Sequence, residues 1–195
     1  MFGSQNIKKD IVLTLYKDTR TVFRLIDVAM LVGEISQQIL SKKMNYYVQK
    51  GQLQNPRKGV YTKPAYNYEE LACRLYSPSY ISLDYVLQKA GVVFQFNTQI
   101  TALSYLSRLV DVDNQPYRFR KIKDEILANT KGIIFQENHV NMACPERAFL
   151  DMFYLKPDYY FDNINSLNKV IVNELLPIYQ SKALIQRVQK LFIDV

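Results

Sequence analysis

The chain has 195 residues, 48% of them apolar, and 25 Lys and Arg against 18 Asp and Glu give it a net charge of +7. That length holds one large domain or two small ones with a real core. No uncharged apolar run approaches the ~18 residues of a membrane span, and the N-terminus lacks the charged-then-apolar layout of a signal peptide, so a cytoplasmic protein with no membrane partner is expected. Cys73 and Cys144 lie far apart with no CxxC and no neighbouring His, which excludes a zinc motif and a disulfide framework and leaves two reduced thiols as the expectation.

The charge is unevenly placed. Residues 1–64 hold 11 Lys or Arg against 4 Asp or Glu, whereas residues 65–195 hold 14 against 14. Positions 35–68 contain no acid, while Lys42, Lys43, Lys50, Arg57, Lys58 and Lys63 supply positive charge there. Such a segment suits a polyanion, because neutralising phosphates supplies most of the non-specific affinity for DNA.

In chain order, residues 1–5 read as a loose start. Apolar positions at 7, 11, 12, 15 and 16 predict a short amphipathic helix over 7–16, with Lys8, Lys9 and Asp10 on its wet side. Val22 and Phe23 form a brief extended or buried step. Leu25, Val28, Ala29 and Val32 make a second helical face, with Asp27 in the first turn where the dipole favours an anion, and Gly33 ends it. The next segment begins at Ser36. Leu40, Met44, Tyr47 and Val48 recur at the spacing of a buried helical face, and Gln38, Ser41, Lys42, Asn45 and Gln49 fall on the opposite stripe. Lys50 and Gly51 end that helix. Two short strands over 52–55 and 60–63 follow, joined by the turn Pro56-Arg57-Lys58-Gly59. Helix, helix, Gly turn, helix and hairpin make the winged form of a helix-turn-helix.

Pro64 and the Tyr66-Asn67-Tyr68 stretch mark a domain boundary. Short helices are predicted over 69–76 and 80–90, the second closed by Gly91. Residues 98–110 alternate imperfectly as a strand, although Leu103, Leu106, Leu109 and Val110 also suit a helix. Residues 117–122 alternate well, with Tyr117 and Phe119 on one face and Arg118, Arg120 and Ile122 on the other. Residues 133–135 and 139–143 read as a hairpin around Gln136-Glu137-Asn138, which places His139 in a strand. Pro145 opens a helix with Glu146 in its first turn, Asp151 four residues after Arg147, and Ala148, Phe149, Met152, Phe153 and Leu155 on its apolar face. Two further helices are predicted over 162–176 and 177–194.

An enzymatic constellation is missing from this pattern. His139 has no partner at ligand or triad spacing. Asp111 and Asp113 precede Lys121 and Lys123, but no acid stands two residues before either Lys, as a metal-dependent nuclease strand requires. There is no glycine-rich phosphate loop and no nucleophile elbow. A non-enzyme without metal or cofactor is therefore expected. The 15 Tyr and 10 Phe are spread along the chain, which points to core and interface roles more than to stacking on single-stranded bases.

The order of these pieces resembles the AbiEi family of antitoxins from bacterial type IV toxin-antitoxin (abortive infection) systems. The residues that carry the resemblance are Phe23 to Ala29 (F-x-L-x-D-V-A), Lys50-Gly51, Arg57 to Tyr61 (R-K-G-V-Y), Ser77 to Leu83 (S-P-S-Y-I-S-L) with Ala90-Gly91, and Ala143 to Asp151 (A-C-P-E-R-A-F-L-D). It implies a winged helix over 1–64 and an antitoxin domain over 65–195. It also implies a repressor that binds inverted repeats in its own promoter as double-stranded DNA, and a nucleotidyltransferase-like toxin counteracted without a stable complex. The fold class expected is α+β: a winged helix-turn-helix, then an α+β domain with a small, mostly antiparallel sheet and terminal helices. The DNA-reading candidates are Gln38, Ser41, Lys42, Asn45, Tyr46 and Gln49 on the third helix, with Arg57 and Lys58 at the wing tip. Asn45 and Gln38 carry amides suited to adenine, and Lys42 suits guanine or phosphate. Pro78-Ser79-Tyr80 and Pro145-Glu146-Arg147 read as helix starts, or as a surface meeting the toxin or its substrate. The alternative is an interaction protein whose C-terminal domain binds a toxin or other protein directly, with DNA binding secondary.

Overall fold

In the computed structural model, which describes residues 10–34 and 36–193, the chain opens with α1 (Ile11–Lys17). Its first turn is capped by the Asp10 carboxylate, which accepts from the Leu13 N–H at 3.2 Å; the earlier part of the predicted 7–16 helix lies outside the described residues. β1 (Val22–Arg24) and α2 (Leu25–Val32) follow, and Gly33, at φ 72°, supplies the left-handed cap that turns the chain towards α3. In α3 (Gln37–Gln49) the Ser36 hydroxyl accepts from the Ile39 N–H at 3.4 Å, and Leu40 and Met44 are fully buried.

The hairpin is tighter than predicted. β2 (Gln54–Arg57) and β3 (Val60–Thr62) pair Arg57 with Val60, so only Lys58 and Gly59 form the turn, and Pro56 and Arg57 belong to the strand. The Asn55 amide explains the shift: it donates to the carbonyls of Arg57 and Val60, at 3.0 and 2.7 Å, across an irregularity in the pairing. β1 adds antiparallel to the other side of β3. Because side chains alternate along a strand, Phe23 and Tyr61 face a smaller core with Ile11, Leu15, Val28, Leu40, Met44 and Leu53, whereas Val22 and Val60 enter the large core of the rest of the molecule. This three-stranded sheet therefore lies between the two cores.

Beyond it come α4 (Tyr68–Leu75), β4 (Ser79–Ile81), α5 (Asp84–Lys89), β5 (Ile100–Ser104), β6 (Arg108–Val112), β7 (Gln115–Lys121), α6 (Asp124–Ala128), β8 (Ile133–Phe135), β9 (Asn141–Ala143), α7 (Pro145–Leu155), α8 (Lys169–Leu175), a 3-10 turn (Leu176–Tyr179) and α9 (Lys182–Ile193). Six strands form one sheet in the order β6-β7-β5-β4-β9-β8. It is mixed rather than mostly antiparallel: β5 with β7 and β4 with β9 run parallel, between antiparallel pairs. The molecule is thus an α+β architecture with N-terminal helices, a mixed sheet and C-terminal helices. No helix among the described residues is long and apolar enough to cross a membrane.

Several predictions of local structure are corrected. The stretch 80–90 is not one helix, because Tyr80 and Ile81 pair with Leu103 and Ala102 inside the sheet and α5 starts only after Leu83 turns the chain at φ 62°. Pro78-Ser79-Tyr80 leads into a buried strand instead of a helix. Residues 98–110 form two strands and no helix. α6 was not anticipated. Helix α8 begins at Lys169 with Asn168 as its cap, so 162–167 is irregular chain, anchored by buried Ile164 and Leu167. α9 starts at Lys182, after the 3-10 turn that takes up Pro177, and the predicted end at Asp194 lies outside the described residues. His139 sits at φ 62° in the turn before β9, not in a strand. Cys73 is buried and Cys144 half-buried, and both are free.

Candidate nucleic-acid interface

The thirteen residues of α3 make a rod about 20 Å long. Gln38, Lys42, Asn45 and Gln49 follow one another at helical spacing and are all exposed; Ser41, beside them, is half-buried. Tyr46 is 53% exposed on the flank of this stripe, edge-on to Tyr47 with ring centroids 5.6 Å apart. The Lys50 ammonium lies 5.7 Å from the Tyr46 ring centroid, which holds that ring beside the stripe. Asn45 is tied to the hairpin: its side-chain carbonyl oxygen accepts from the Tyr61 hydroxyl at 3.4 Å, and its amide N–H groups have no partner among the described residues.

The hairpin candidates part company. Lys58 is exposed at the turn, with no ion pair among the described residues. Arg57 turns the other way. Its Nη2 donates to the Tyr76 hydroxyl at 3.0 Å and its guanidinium stacks 5.0 Å over the Tyr76 ring, so this side chain is half-buried against α4 rather than offered at the tip. The turn itself is held in place by the Gly59 carbonyl, which accepts from the Leu25 N–H at 3.1 Å.

Internal pairing decides which cations are left over. Glu34, just outside the acid-free window, takes Lys43 at 2.9 Å. Lys63 donates to the Asp18 carbonyl at 2.7 Å and lies over the Tyr16 ring. Asp18 is held by Arg20, whose side-chain hydrogen bonds keep its carboxyl below the ordinary value. Burial works to raise Asp27, but the hydrogen bonds from Arg24 and the charge of Arg74 outweigh it and keep that carboxyl low as well. The acids at 18, 27 and 34 therefore neutralise partners inside the fold. Of the cations in 35–68, Lys42, Lys50 and Lys58 are exposed with no ion pair among the described residues, and the amides of Gln38, Asn45 and Gln49 share the stripe of the first.

Elsewhere, the acids and lysines weighed for a nuclease site are separated. Asp111 stands opposite Pro116 at one end of β7, Asp113 accepts from the Tyr66 hydroxyl at 2.5 Å, and Lys121 ends the strand about 17 Å away. No group of three or more His, Cys, Asp or Glu side chains that could hold a metal occurs among the described residues. Glu146, Arg147 and Asp151 are buried, so they are no partner surface. Arg147 donates to the carbonyls of Lys131 and Ile126, at 2.9 and 2.8 Å, and to the Tyr80 hydroxyl at 3.1 Å; Asp151 accepts from Tyr179 and Ser82 at 2.6 and 2.8 Å. The bracing of the hairpin by Asn55 and the contact of Lys50 with the Tyr46 ring escaped sequence reasoning; only the Asn-Pro step before the turn hinted at the first.

No protein-family model matches the chain, and no curated protein matches it closely enough to count as a relative.

Proposed function

We propose that residues 1–64 are a winged helix-turn-helix that binds double-stranded DNA, and that the chain is an AbiEi-like antitoxin repressing its own promoter. In this reading α3 enters the major groove, Gln38, Lys42, Asn45 and Gln49 face base edges and phosphates, and Lys58 on the hairpin grips the flanking backbone. The observation that carries it is the exposed stripe of α3, polar along its length and centred on Lys42, which has no ion pair among the described residues. The order α1, β1, α2, α3 and hairpin agrees with it. The toxin and its counteraction rest on the resemblance of sequence motifs.

The test is fluorescence anisotropy of the full chain with duplex DNA from upstream of its own gene and with a scrambled duplex. Preference for the native duplex is expected. Lys42→Ala with Lys58→Ala should weaken binding about tenfold or more and flatten the salt dependence by about two units of slope, one per lost phosphate contact. Arg57→Ala should act on stability instead, since its guanidinium lies on Tyr76. A double variant that binds like wild type at every salt concentration would sink the reading. The interaction-protein reading draws on Ile134 and Phe135, exposed at 55% and 60% on the edge strand β8; stable co-purification with the neighbouring gene product would favour it.

A further inference from the structure

A cavity of about 440 Å³ opens between α4, α5, the 92–99 loop and the start of β7, within the size range of small-molecule sites. Tyr68, Tyr85, Gln88, Lys89, Phe96 and Gln115 are among its walls. Tyr68 and Phe96 are 44% and 84% exposed, so two aromatic faces stand in water at its mouth.

The Phe96 loop is tethered along its length. The Val92 carbonyl accepts from the Asp162 and Asn163 N–H groups at 3.0 and 3.1 Å, and the Phe94 N–H donates to Asp162 at 2.8 Å. The Asn97 N–H donates to the Gln88 side-chain oxygen at 3.3 Å, and the Gln115 amide donates to the Thr98 carbonyl at 2.7 Å. Tyr85 is fixed as well: its hydroxyl donates to Glu69 at 2.6 Å, Lys89 binds the same carboxylate oxygen, and the Lys89 ammonium lies 4.5 Å from the Tyr85 ring centroid.

These contacts decide what the cavity recognises. Glu69 balances Lys89, so no free cation waits there for a phosphate. What remains is aromatic surface plus polar groups with no partner among the described residues: Gln88 Nε2 and Asn97 Nδ2 as donors, Gln115 Oε1 as an acceptor, and the Tyr68 and Thr98 hydroxyls, which can do either. Donors and acceptors beside aromatic faces are the complement of a flat heterocycle with a hydrogen-bonding edge.

We propose that this cavity binds a nucleobase, carried either by a free nucleotide or by an unpaired position in a single strand. The inference is independent of DNA binding by α3. Isothermal titration calorimetry on the full chain tests it with AMP, GMP, CMP and UMP, and with short single-stranded oligonucleotides of each base. At least one base should bind, and Phe96→Ala, which removes a solvent-facing ring, should weaken it about tenfold. Gln88→Leu should change the order of preference among bases. Binding by mononucleotides identifies a free nucleotide as the source; binding by oligonucleotides alone, still weakened by Phe96→Ala, identifies an unpaired base. No binding at all overturns the proposal, as does binding that Phe96→Ala leaves unchanged, including oligonucleotide binding lost only in Lys42→Ala. Duplex binding measured in parallel should be untouched by Phe96→Ala, so failure of one site does not carry over to the other.

Discussion

Arg147 and Asp151 stand one helical turn apart on α7 and are fully buried. Their spacing was legible as a pair, but not their depth: an i, i+4 pair on a surface helix is worth a few tenths of a kcal/mol, whereas removing one partner of a buried pair costs about 3–5 kcal/mol. Arg147→Ala should fall in the higher range. The deficit should also depend on pH. Burial holds the Asp151 carboxyl above its ordinary value, against the lowering influence of Arg147 and the hydroxyls around it. A carboxyl whose folded pKa exceeds its unfolded value of about 3.9 loses stability as pH rises from that value through the folded one. Without Arg147 the folded value climbs further, so the deficit should be smaller near about pH 4 than near about pH 7. Urea denaturation at both checks this; equal deficits would mean that Asp151 does not carry the negative charge of the pair. Arg57 and Lys58 teach a related lesson, since of two adjacent cations in one hairpin the first is drawn onto the ring of Tyr76 and the second is left exposed.

The elements that came through best are those whose signals are local. Helices α2 and α3 each have an apolar stripe, a cap and a closing Gly within sixteen residues or fewer, and the hairpin has Gly59 at φ 80°. A side chain added at Gly59 meets nothing within 4 Å, so Gly59→Ala should destabilise through backbone conformation alone, by about 1–2 kcal/mol. Thermal denaturation measures it, and a neutral result would show that the turn relaxes to negative φ. The elements that were misread have signals that compete. Ser79–Ile81 is a three-residue strand next to a six-residue helix, and its apolar residues fit a helical period until the partners on β5 and β9 are known. Residues 162–167 look helical by composition, yet the Asn168 cap starts the helix later.

Across the whole molecule, the N-terminal elements are joined to the rest by a buried seam. Glu70 on α4 is 1% exposed, and one of its oxygens accepts from the Thr21 N–H, the Thr21 hydroxyl and the Val22 N–H, at 2.6, 2.7 and 2.9 Å. Arg74 reaches Asp27 at 3.8 Å and Arg57 reaches Tyr76, while Val22 and Val60 lie in the large core. The predicted boundary near Pro64 falls between β3 and α4, with side chains crossing from both sides. Glu70→Ala should cost about 2–3 kcal/mol and loosen this seam first, so that amides of β1 and β3 exchange hydrogen before those of β5 and β7. Simultaneous loss of protection would show that the two cores open as one unit. From its own residues the chain determined the helical faces of α2, α3 and α7, the glycine turns, and the crowding of positive charge at the N-terminal end, because each depends on neighbours within a few positions. Only the tertiary structure decided the parallel pairings of the large sheet, the burial of Arg147 with Asp151, the inward turn of Arg57 and the aromatic cavity beside α5, because each joins residues distant in sequence whose meeting no local pattern encodes.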